Sequence, residues 1–108
     1  MRIEQGRWMS KTGWAPRPAG EMGSFAQLAL VFGSREDLKN REPLEEIRRL
    51  YPSAHLFGCT TAGEICSTEV TDDSIVVTAV RFDHTCVVSA AIHVDEVEGS
   101  YQAGQRLA

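Results

Sequence analysis

Apolar residues run without interruption from Leu28 to Phe32 and stop at Gly33, the longest such run in the chain at five residues. A short run of this kind, closed by glycine, predicts a strand buried on both faces. Ser34 follows as a helix N-cap with Glu36 and Asp37 in the first turn. Pro43 interrupts any long helix there, so the pattern predicts a brief turn over 35–39 and a helix that starts at Pro43. In that helix Leu44, Ile47, Leu50 and Tyr51 share one face. Glu42, Glu45 and Glu46 sit at its start and Arg48 and Arg49 at its end, an order that suits the helix dipole, with Glu45 and Arg49 spaced for an i,i+4 pair. Pro52 stops it, and residues 54–57 are read as a second short buried strand.

Strand, helix and strand in this order predict a βαβ unit with parallel strands. Downstream, residues 65–71 read as a brief edge strand and Asp72-Asp73 as a turn. Residues 74–82 and 85–94 are both rich in β-branched and apolar side chains and are separated by Asp83-His84, which predicts an antiparallel hairpin. Gly99-Ser100 then opens a helical pattern that stops within two or three turns with no C-cap, glycine or proline. The chain is therefore read as a fragment cut inside a helix of a longer protein. The expected fold is α/β: a mixed sheet with a βαβ unit followed by an antiparallel hairpin, truncated at a C-terminal helix.

The first 25 residues are read as a separate strand and loop segment ahead of a unit spanning 26–108. Residues 2–9 suit a short strand. Gly13, Pro16, Pro18, Gly20 and Gly23 give the stretch from 11 to 23 a loop composition. Trp8 and Trp14 are expected to be buried against the domain.

Composition narrows the function classes. The hydrophobic share of 43% and the charged share of 24% are those of an ordinary globular protein. The net charge is −4, and no cluster of Lys or Arg exceeds the pair Arg48-Arg49. Nucleic acid and anionic membrane surfaces, which call for several cations on one face, are disfavoured as partners. No apolar run approaches the roughly 20 residues that span a bilayer. Three cysteines, an odd count with no signal peptide, argue against a disulfide framework and for a reducing, cytoplasmic setting.

The candidate chemistry lies in residues 57–65, Phe57-Gly58-Cys59-Thr60-Thr61-Ala62-Gly63-Glu64-Ile65. Read as a tight loop directly after a buried strand, Gly58, Cys59, Thr60, Thr61, Ala62, Gly63 and Glu64 offer a small polar ligand several contacts. The glycines let backbone approach closely. Successive N–H groups at such a turn can cradle an anion. The two threonines and the cysteine add donors, and Glu64 adds a carboxylate. Loops at the carboxyl ends of strands are where open α/β sheets bind ligands. The competing reading is a structural turn whose glycines supply positive φ. Cys59 as a nucleophile, or Glu64 as a base, lacks an evident partner, so an enzyme is disfavoured.

The segment LFGCTTAGEI resembles the signature of the FIST family, a sensory domain named for F-box and intracellular signal transduction proteins. AQLALVF, LEEIRRLYPSAHLFG, DDSIVVTAV and AGQRLA resemble its N-terminal half, so the likeness covers about residues 26–108. The resemblance implies a non-enzymatic signal-input domain that binds a small ligand such as an amino acid through residues 58–64. It also implies an output partner, such as a histidine kinase or a cyclic-dinucleotide enzyme, and a C-terminal half of the same protein. Some members are similar to haem-binding nitric-oxide sensors. For that alternative His55 and His93 are the candidate axial ligands, since His84 lies at a turn tip. No other cofactor and no metal is expected.

Overall fold

The computed structural model describes residues 1–18 and 22–108. Gly20, part of the expected loop, lies outside the described residues. Among the described residues seven strands and three helices follow one another along the chain. β1 (Arg2–Met9) and β2 (Gly13–Trp14) precede β3 (Leu28–Gly33), α1 (Arg35–Lys39), α2 (Arg41–Leu50) and β4 (His55–Thr60). β5 (Glu64–Cys66), β6 (Glu69–Thr71), β7 (Ile75–Arg81) and α3 (Ser100–Leu107) complete the order. Five strands form one mixed sheet in the order β2-β1-β7-β3-β4, and β5 and β6 form a separate antiparallel pair.

The βαβ unit is as expected. β3 and β4 are parallel, with Leu28 opposite His55 and Gly33 opposite Thr60. Ser34 caps α1 by accepting the Asp37 N–H at 3.1 Å. The second helix starts earlier than its proline suggests, because Asn40 Oδ1 accepts the Glu42 N–H at 3.1 Å and supplies the cap. Pro43 therefore sits inside the first turn, where its absent N–H costs nothing. Glu45 and Arg49 form no ion pair among the described residues.

β7 is the hub of the sheet. Its run of β-branched residues is buried from Ile75 to Val77. It pairs antiparallel with β1 on one side, from Arg2–Arg81 to Trp8–Ile75, and with β3 on the other. That arrangement corrects one expectation. An antiparallel hairpin does follow the βαβ unit, but it is β5–β6, not residues 74–82 with 85–94. Both hydrogen-bonding edges of β7 are occupied by strands distant in sequence, so the second arm has no edge to join. Residues 85–93 form no strand. They are held by Gln27 Nε2 donating to the Thr85 carbonyl at 2.8 Å and by His55 Nδ1 against Ser89 Oγ at 2.7 Å, and Val88 is 88% exposed.

The helices cover one face of the sheet. Ala29, Val31, Ile75, Val77 and Ala79 project to that side and pack with Ile47 and Tyr51 of α2 in a single core. Trp8 and Trp14, half-buried, close its far end, and Trp14 Nε1 donates to Glu46 of α2. The opposite face is less covered than the run at 28–32 suggests, with Leu28, Leu30 and Phe32 only partly buried.

Tyr51 links helix to sheet: its hydroxyl donates to Glu4 of β1 while the ring is buried. Burial, and then the Glu4 hydrogen bond and charge, hold its pKa well above the usual tyrosine value. Between the unfolded pKa near 10 and the folded one, the folded state keeps a proton that the unfolded chain has lost. Stability is thus fully present below about pH 10 and falls as pH rises beyond it, by up to roughly 1.4 kcal/mol per unit. Urea unfolding from pH 8 to 11 should show this fall, and Tyr51→Phe should lack the share due to Tyr51. Parallel profiles for the two proteins would refute it.

Candidate functional site

β4 is an edge strand of the five-stranded sheet among the described residues. Side chains alternate along a strand. Leu56, Gly58 and Thr60, in register with Ala29, Val31 and Gly33, are turned to the helix side. Phe57 and Cys59, in register with Leu30 and Phe32, are turned away from it. A groove of about 320 Å³ opens between β4 and the helices. Val31 and Leu56 line its floor and Leu38, Leu44 and Arg48 its helical wall, with Phe57, Cys59 and Thr60 also on the lining. That volume lies at the lower end of small-molecule sites.

Gly58 is a glycine for a reason of packing. A Cβ built there would stand 1.7 Å from the Val31 carbonyl oxygen and 2.7 Å from the Val31 carbonyl carbon. Neither Gly58 nor Gly63 has positive φ, so backbone handedness explains neither. At Gly63 a Cβ would meet nothing nearer than 3.6 Å.

The stretch expected as one loop is divided. Gly58, Cys59 and Thr60 belong to β4, which runs three residues past the expected strand; only Thr61, Ala62 and Gly63 lie between strands, and Glu64 opens β5. Parallel pairing with β3 persists to Gly33–Thr60 and carries β4 on, and the Thr61 N–H still donates to the Gly33 carbonyl at 2.9 Å. Glu64 is 1% exposed and turned inward. Thr61 Oγ1 donates to its Oε1 at 2.7 Å and Ser74 Oγ to its Oε2 at 2.7 Å. The Ser74 hydroxyl also meets Thr71 Oγ1 at 2.9 Å. Both carboxyl oxygens are thus engaged within the protein, and this network ties the bend to the turn before β7. Of the seven expected residues, Gly58, Cys59 and Thr60 border the groove; Thr61 and Glu64 bind each other; Ala62 and Gly63 are not on the lining.

Cys59 is exposed and its thiol has no hydrogen-bond partner among the described residues. The two candidate haem ligands are far apart in setting. His55 is half-buried with Nδ1 against Ser89, beside a cavity of about 190 Å³. His93 is exposed on the unpaired segment, beside one of about 220 Å³. Both volumes fall below the roughly 300 Å³ at which small-molecule pockets begin. Among the described residues no group of three His, Cys, Asp or Glu is arranged to hold a metal ion, and no helix is long and apolar enough to cross a membrane.

Sequence reasoning missed the helical wall. Arg48 was accounted for by the helix dipole alone, yet Leu44 and Arg48 are four apart and so lie on one face. That spacing, set beside the glycine of an edge strand, is the signal that marks them.

A profile of the FIST N domain matches residues 27–108. The chain belongs to the FIST family. No curated protein and no solved structure matches it significantly. FIST domains are signal-transduction sensory domains, a signalling class and not a catalytic one. The matched FIST region begins at β3, and β1, which precedes it, is hydrogen-bonded along the whole of β7 in the same sheet.

Proposed function

We propose that this FIST N domain is a sensory module that binds a small ligand in the groove beneath β4 and passes the event to a signalling output protein. The observation that carries the reading is the groove itself: an opening of about 320 Å³, apolar on most of its lining, with Arg48 and Thr60 as polar groups. Pockets of this make-up suit ligand recognition. Its place also suits signalling. Among the described residues β4 has no strand on its outer side, and Phe57, which borders the groove, is 70% exposed. A ligand seated against Leu56, Gly58 and Thr60 bears on the same strand that presents Phe57 to a partner. Only a ligand with different affinities for two arrangements of β4 can shift their populations.

Amide chemical-shift mapping with a library of small ligands tests the reading. Saturable shifts are expected at Leu44, Arg48, Leu56, Gly58 and Thr60, with weaker ones at Phe57. Shifts confined to other surfaces, or none with any ligand, would remove the groove from the function.

A further inference from the structure

We propose that the groove takes a small apolar carboxylate, with its head group on Arg48 and its hydrocarbon chain along Val31, Leu38, Leu44 and Leu56; the inference rests on the ligand-binding reading above. Arg48 is the charged residue of the lining, which holds no Asp or Glu. Among the described residues it forms no ion pair, so its guanidinium is uncommitted. A guanidinium pairs with a carboxylate through two parallel hydrogen bonds, the strongest polar contact this lining can make. Thr60, on the same lining, adds a hydroxyl donor.

The lining also selects against a zwitterion. The ammonium of an α-amino acid needs a carboxylate or a set of acceptors to offset its desolvation. Glu64, the acidic residue of the segment 58–64, has both oxygens engaged by Thr61 and Ser74 and is closed off from solvent. Backbone carbonyls on the open edge of β4 are neutral acceptors and offset a buried ammonium less well than a carboxylate does. The rest of the surface is hydrocarbon, so affinity should grow with chain length until the groove is full, by about fourfold per methylene.

Calorimetric titration of the full chain with hexanoate, octanoate, 1-hexanol and norleucine tests this. Norleucine keeps the six-carbon chain and carboxylate of hexanoate and adds the ammonium. Hexanoate should bind, octanoate more tightly, and norleucine and 1-hexanol more weakly. Arg48→Gln, an exposed change between good helix formers, should weaken both carboxylates on the order of tenfold or more and leave 1-hexanol unchanged. Binding of norleucine or 1-hexanol as tight as that of hexanoate, or carboxylate affinity unaltered by Arg48→Gln, would overturn the anion assignment while leaving a ligand groove in place. Failure of all four compounds to bind, with no amide shift at Leu44 or Gly58, would remove the groove reading as well.

Discussion

Gly58→Ala should be among the most damaging single substitutions in this chain, although it adds one methyl group to an exposed strand. The added Cβ would overlap the carbonyl of Val31 at 1.7 Å. The colliding atoms are main chain, held in the β3 ladder between β4 and β7, so no side chain can turn aside to make room. Overpacking typically costs 1–3 kcal/mol, and a clash with fixed backbone belongs at the upper end. We expect a loss of about 3 kcal/mol in urea unfolding, with weakened amide protection across β4. Gly63→Ala is the control: its Cβ meets only ordinary contacts at 3.6 Å and beyond, and its cost should stay within roughly 0.5 kcal/mol, as at an ordinary surface position. Equal effects at the two sites would show that Gly58 is not set by the approach of β3.

What the sequence made legible was the local order of elements. Periodicity and punctuation located β1, β3, α2, β7 and α3, because a strand or helix that packs on one face writes its period into the chain. Two things escaped it. Residues 85–94 carry the alternation of a strand, but alternation records a preference for extended backbone and says nothing of which edge is free. The edges of β7 went to β1 and β3, one more than 60 residues away in sequence at Trp8–Ile75 and the other more than 40 at Gly33–Ile75. The candidate site was half legible for a related reason. Small residues at 58–60 read as a loop, since glycine, cysteine and threonine lack the bulk of a core strand. Gly58 is a glycine because β4 crosses close to β3 there, and Arg48 joins the segment only through the packing of α2 on the sheet. The family resemblance found the segment, but the roles within it follow from which side of β4 each residue faces.

Glu64 tests that division of roles most directly. As a ligand contact, its loss should abolish binding and leave the fold alone; the geometry requires the reverse. Its carboxyl group holds the hydroxyls of Thr61 and Ser74, each at 2.7 Å, in a place closed to water. Glu64→Ala leaves both donors without that acceptor and opens a void, and each change is costly in a buried site. A loss of about 3 kcal/mol is expected, with faster amide exchange through β5, β6 and the turn before β7. Glu64→Gln keeps the shape and one acceptor, and the hydroxyls can turn to accept from the amide, so its cost should be about 1 kcal/mol. A double-mutant cycle with Ser74→Ala should give a coupling energy near 1 kcal/mol, as for residues sharing one network. A Glu64→Ala protein as stable as the parent, but unable to bind, would move the carboxyl group from the scaffold to the site.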